Sequence, residues 1–201
     1  MERRALFRLG LKNTLNALVQ GVEERTDRQT ARWFRPPFAI RELYFQLSCT
    51  RCDKCIQACP YGVLFALPFK YGPQVAGTPV LDLLQKGCRL CRDWPCVAAC
   101  EPQSLRLPPQ TEGVPPPLPH LSKAKIDPLR CLPFMGPECG ACQGVCPVPG
   151  ALAWQGARPT VVESVCVGCG MCREACVTAP KSIHLVPIIL EASSNTDNHE
   201  I

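Results

Sequence analysis

Residues 49–60 read CTRCDKCIQACP, and residues 166–177 read CVGCGMCREACV. Both stretches are written C-x2-C-x2-C-x3-C: Cys49, Cys52, Cys55 and Cys59 in the first, Cys166, Cys169, Cys172 and Cys176 in the last. Two looser versions lie between them. Cys88, Cys91, Cys96 and Cys100 lengthen one gap around Asp93-Trp94-Pro95. Cys131, Cys139, Cys142 and Cys146 insert the stretch from Leu132 to Glu138 between the first two members. All sixteen cysteines of this 201-residue chain fall into these four groups, so the grouping decides the fold.

Three soft thiolates separated by two residues can wrap one turn of chain around a compact metal cluster and reach three of its corners. A fourth corner then points away from the loop and needs a ligand from elsewhere. The run C-x2-C-x2-C-x3-C followed by proline, as at Cys59-Pro60, is the pattern of bacterial 4Fe–4S ferredoxins, in which the fourth cysteine ligates the neighbouring cluster. Four groups therefore predict four 4Fe–4S clusters with all sixteen cysteines as ligands. The fourth cysteine of each group is expected to begin a short helix aimed at the second site. Pro60 and Pro147 turn the chain sharply after it, while Cys100 is followed by Glu101-Pro102 and Cys176 by Val177.

Two other uses of cysteine are weighed against this. A disulfide framework belongs to an oxidising compartment and usually to a small secreted chain, and closely spaced triplets are poor disulfide geometry. Zinc sites bring two C-x2-C pairs across a loop, often with histidine. Here His120, His184 and His199 all lie outside the groups. Triplets with a separate fourth cysteine suit a cubane better.

The predicted fold class is α+β: two ferredoxin-like modules of two clusters each, loop-rich, with short strands and helices and an N-terminal amphipathic helix. Modules of this size own little apolar core, so the metal sites must supply much of the folding free energy. The 22 prolines and 14 glycines fit short elements joined by many turns. The formal charge of +5 is a poor guide to partners. An oxidised cubane with its thiolates carries about −2, so four of them would bring the total to about −3. Arg51, Lys54, Arg89, Arg92 and Arg173, scattered in and beside the groups, are read as offsetting cluster charge. No basic stripe stands out, which argues against nucleic acid.

Along the chain, residues 1–34 form a helix and connector. Phe7, Leu11, Leu15, Leu18 and Val22 recur at helical spacing over residues 1–25. That face suits a membrane surface, a partner, or the cluster body itself. Arg3-Arg4 resembles the start of a twin-arginine export signal, but Arg8, Lys12, Asn13 and Asn16 break any apolar run behind it. The expectation is a cytoplasmic chain, peripheral on the inner membrane, with export to the periplasm as the alternative. The first module spans 35–107, with apolar runs at Val63–Leu67 and Val80–Leu84. A proline-rich linker covers 108–124. The second module spans 125–190, with strands at Thr160–Val162 and Ile183–Val186. Residues 191–201 form a polar tail.

The residues quoted so far resemble the NapG/MauM-type ferredoxins, polyferredoxins found with periplasmic nitrate reductase and methylamine dehydrogenase systems. The resemblance covers roughly 35–187. It rests on RPPFAI at 35–40, CTRCDKCIQACPY at 49–61, AGTP at 76–79, the PCVAAC of group two and CVGCGMCREACV at 166–177. The opening CTRCDKC also resembles NapF-type ferredoxins. Three departures stand out: no clear twin-arginine signal, Glu101-Pro102 where proline usually follows directly, and the proline-rich stretch between groups two and three. The resemblance implies an electron-transfer protein rather than an enzyme. Its partners would be redox proteins: a reductant such as a membrane quinol dehydrogenase or a soluble carrier, and an oxidoreductase. The alternative is a maturation factor that binds or delivers clusters to an apo-oxidoreductase.

The order of ligation is left between two schemes. Groups one and two lie 29 residues apart (Cys59 to Cys88) and groups three and four 20 apart (Cys146 to Cys166), and short connections favour spatial neighbours. That scheme gives Cys49, Cys52, Cys55 with Cys100; Cys88, Cys91, Cys96 with Cys59; Cys131, Cys139, Cys142 with Cys176; and Cys166, Cys169, Cys172 with Cys146. The rival pairs group one with four and two with three. It is implied by resemblance to the four-cluster subunits of molybdenum oxidoreductases.

Overall fold

Prolines and cysteine loops leave little chain for regular structure, and the elements are correspondingly short. A computed structural model describes Val19, Gly21, Val22 and residues 33–109 and 117–188. The helix expected over residues 1–25 lies outside the described residues, apart from Val19, Gly21 and Val22, which are helical and exposed. Among the described residues no helix is long and apolar enough to cross a membrane.

In the first half, helix α1 (Glu42–Ser48) leads into the first cysteine loop, and α2 (Lys54–Gln57) follows it. Strands β1 (Leu64–Ala66) and β2 (Pro79–Leu81) pair antiparallel, with Leu64 opposite Leu81. A 3-10 turn at Phe69–Tyr71 lies between them, and α3 (Pro95–Ala98) lies within the second group. The two ends of this half meet in a small ladder: Ala39 bridges Leu105, Ile40 N–H donates to Ser104 O (3.1 Å) and Arg106 N–H to Phe38 O (2.9 Å). Its anchor is Arg35. The guanidinium donates to both Glu42 carboxylate oxygens (2.6 and 2.8 Å) and to Thr78 Oγ1 (2.8 Å), and lies 4.7 Å from the Phe45 ring centre. Both charges of that pair are nearly buried, and Gln46 supplies a further donor to Glu42.

The second half repeats the plan with longer strands. β3 (Ser122–Ile126) pairs antiparallel with β6 (Ile183–Pro187), again joining the two ends. β4 (Leu152–Gln155) and β5 (Arg158–Val161) form a hairpin around Gly156, whose φ of +60° suits the tight turn. Helix α4 (Leu132–Met135) fills the insertion after Cys131, and α5 (Met171–Ala175) lies in the last group. β3 begins inside the stretch read as linker: Leu121 is buried and donates its N–H to Val167 O (2.8 Å).

The halves do not stand apart. One apolar cluster runs through both, from Phe45, Leu83, Trp94 and Leu105 to Leu121, Val148, Val167 and Leu185. Polar contacts close the seam. Arg89 pairs with Glu174 (2.9 Å), Gly87 N–H donates to Glu174 Oε2 (2.9 Å), and Arg173 Nε donates to Leu84 O (3.2 Å). Gly87 lies so close to α5 that an added Cβ would sit 2.6 Å from Met171 N. A second close approach is at Gly168, with φ +67°, where a Cβ would overlap the Ser122 carbonyl.

Candidate metal centres

Each cysteine loop must turn around its contents, and in three of the four the backbone does this with a left-handed residue just before the second cysteine. Arg51 (φ +56°), Leu90 (+49°) and Gly168 (+67°) all hold this place. The short helix then lies between the third and fourth cysteines and ends at the fourth, where a start had been expected. α2 runs from just before Cys55 to just before Cys59, and α3 and α5 stand in the same relation to Cys96/Cys100 and Cys172/Cys176. Residues four apart on a helix are neighbours, with Cβ atoms about 5–6 Å apart. One helical turn therefore offers one sulfur to each of two adjoining sites.

Four sites result. Site A is a cavity lined by Cys49, Cys52, Cys55 and Cys100, with Phe45 and Leu105 among its apolar walls. Site B is lined by Cys59, Cys88, Cys91 and Cys96, with Val63, Leu81 and Trp94. Site C gathers Cys146 with Cys166, Cys169 and Cys172: after burial, Cys146 raises the pKa of Cys166 and Cys169, and these two raise that of Cys172. Site D is a cavity lined by Cys131, Cys139, Cys142 and Cys176, with Ile126, Trp154 and Ile183. These four sets are the ones named by pairing neighbours in sequence, and the crossed scheme does not describe them. Both irregular gaps contribute cover. Trp94 from group two walls site B, and Leu132 and Pro133 of the inserted α4 wall site D.

The sulfurs ring these spaces rather than converge: among the described residues no three His, Cys, Asp or Glu come together as ligands of one ion. Burial pushes the thiols of Cys96 and Cys172 up to about 12, and those of Cys55, Cys88, Cys142 and Cys169 up to about 11. A bare thiolate is disfavoured at such places, so thiolates held there call for cations beside them. Soft sulfur donors gathered four to a cavity at sites A, B and D fit an iron–sulfur cube. Two sulfurs differ. At exposed Cys52 the Lys54 N–H and the Thr50 hydroxyl lower the pKa. At Cys176 burial raises it, but hydrogen bonds from Ser182 and Thr178 outweigh this and hold it at about 7.

Comparison with known proteins agrees with this chemistry. The methylamine utilization ferredoxin-type protein MauM of Methylobacillus flagellatus is 31% identical over 92% of this chain and 84% of its own length. The ferredoxin-type protein NapG of Escherichia coli K12 is 32% identical over 85% of this chain and 77% of its own. The chain belongs to the MauM/NapG ferredoxin-type family. The ferredoxin-type protein NapF of E. coli K12 also matches, at 29% identity over 81% of this chain and 91% of its own. The 4Fe-4S binding domain family matches residues 44–65 and the 4Fe-4S dicluster domain family residues 86–151. No solved structure matches. The dicluster match spans groups two and three, which in space belong to different halves. It follows the order of cysteines along the chain, whereas the structure shows where the fourth cysteine of each group goes.

In this ferredoxin-type protein the basic residues read as offsetting cluster charge mostly serve the loops. Arg51 donates to Ala76 O and Gln74 O (both 2.9 Å), Lys54 pairs with Glu101, and Arg89 with Glu174. Arg51 still acts on Cys49, lowering its pKa against the larger effect of burial. Ser182 and Thr178 were not singled out from sequence. Their signal is the pair of hydroxyl residues in CVTAPKS (176–182), just after a ligand cysteine.

Proposed function

We propose that this chain holds four 4Fe–4S clusters, one in each of sites A to D, and relays electrons through them in the order A–B–C–D between a reductant and a partner oxidoreductase. Bound there, cubanes supply one-electron exchange at potentials set by their surroundings. The residues that would hold them are the sixteen cysteines in the four sets above.

The order rests on how the chain joins the sites. Cys59 and Cys100 each leave their own group to complete the neighbouring one of sites A and B, and Cys176 leaves the last group to complete site D. The backbone of Cys88 in site B bonds that of Cys169 in site C. The central step lies at the seam between the halves, where Cys88 N–H donates to Cys169 O at 2.7 Å. The shared core, the Arg89–Glu174 pair and the close approach at Gly87 hold that seam. Sites A and D are the ends. Site A reaches the surface at exposed Cys52 and site D beside exposed Val177. Redox partners would dock at these ends, the reductant at one and the oxidoreductase at the other.

The test is magnetic. Replacing Cys139 and Cys142 with alanine removes two ligands of site D from the full-length chain. Electron paramagnetic resonance of the reduced protein should then lose one cluster, and spin–spin broadening should be relieved in one remaining signal only. Relief in two or more signals would give site D several neighbours and break the linear order.

A further inference from the structure

The fourth cysteine of each group has a different surrounding, and Cys176 stands out. Its sulfur lies 3.2 Å from Ser182 Oγ and 3.3 Å from Thr178 Oγ1. Ser182 is almost wholly buried, so its hydroxyl has no water to turn to. Thr178 Oγ1 accepts the Ser182 backbone N–H (2.9 Å), which leaves its own proton free for the sulfur. Lys181 fastens the loop by donating to Cys176 O (2.7 Å) and Glu174 O (2.9 Å), which brings a positive charge beside it. At the other sites the fourth cysteine has less. Cys100 receives only the Leu105 N–H, at 3.4 Å, and Cys146 faces the Val148 carbonyl oxygen at 3.4 Å.

A hydroxyl that donates to a ligand thiolate interacts more strongly as negative charge builds on the cluster, and so favours the reduced state. We infer that Ser182 and Thr178 raise the reduction potential at site D and make it the electron-accepting end of the chain. This inference rests on the four-cluster reading and adds a direction to it. The bias is a redistribution of one electron between sites C and D, with both hydroxyl protons staying on their own oxygens. Ser182 and Thr178 are tuning residues that act through Cys176; they ligate nothing themselves.

The experiment is a redox titration of the full-length holoprotein, prepared without oxygen and followed by electron paramagnetic resonance. The signal altered by Cys139→Ser identifies site D. In the double variant Thr178→Val/Ser182→Ala, the reduction constant of that signal should fall by about tenfold, which is about 59 mV for one electron. The other three midpoints should hold. Thr178→Ser alone keeps the hydroxyl and should keep the parent midpoint, which a merely structural role would not require. Four clusters with an unmoved site D midpoint, or four midpoints drifting together, would overturn the inference while leaving the four-cluster reading intact. A parent protein with no signal sensitive to Cys139→Ser would remove both.

Discussion

The two halves place a buried serine at the same point of their folds and use it differently. Ser104 precedes Leu105, which bridges Ala39, and Ser182 precedes Ile183, which pairs with Ile126. Each serine gives its backbone carbonyl to the facing segment, at Ile40 and at Asp127. Ser104 then shares its hydroxyl with Ser48 (2.9 Å), a contact that holds the end of α1 and touches no ligand. Ser182 turns its hydroxyl to Cys176. The difference lies in the loop before it. Three residues separate Cys100 from Ser104 and five separate Cys176 from Ser182, and the longer loop carries Thr178 and Lys181. One plan thus leaves Cys100 of site A with one amide and gives Cys176 of site D two hydroxyls.

The strongest way to break the comparison is at the left-handed turn that both halves share. Gly168→Ala drives a Cβ into the Ser122 carbonyl, against the start of β3. Neither backbone segment can give way without parting β3 from the cysteine loop. We expect a loss of about 4 kcal/mol or more, read as protein that purifies with iron missing from site C and unfolds early in urea. Arg51 occupies the same place in site A with a side chain, bonded to Ala76 and Gln74 carbonyls. Arg51→Gly should therefore change stability by no more than about 1 kcal/mol. Equal effects at the two positions would show that the close approach of Ser122 does not set the two loops apart.

A smaller effect sharpens the contrast between the serines. Ser104→Ala removes the Ser48 contact and should lower stability by about 1 kcal/mol, seen as a modest shift of the urea transition. It should leave the site A midpoint where it was, because that hydroxyl does not meet a sulfur. A site A midpoint that moves as far as site D does in Ser182→Ala would erase the distinction.

The sequence carries the metal chemistry openly because ligand spacing is local: two residues between thiolates is a property of one loop. Strands at Val63–Leu67 and Ile183–Val186 were legible for the same reason, as short apolar runs bounded by turn residues. The bounds of β3 were harder to read. SKAKI has only two apolar residues and follows a proline run, and it becomes a strand by pairing with β6, some sixty residues further on. The seam was hidden likewise. Gly87, Arg89 and Glu174 have no local pattern, and their roles come from the meeting of two loops far apart in the chain. The helix position was misread because C-x3-C fixes a helical turn between the two cysteines, which the fourth one closes. The N-terminal helix stays outside the described residues and remains an expectation from spacing.

Metal content tests the central claim most directly. Protein prepared without oxygen should contain about 16 iron and about 16 acid-labile sulfide per chain, four cubes for sixteen cysteines. Its brown colour should bleach on reduction. About four zinc per chain with no labile sulfide, or about eight iron with half the cysteines open to alkylation in the native protein, would contradict the account.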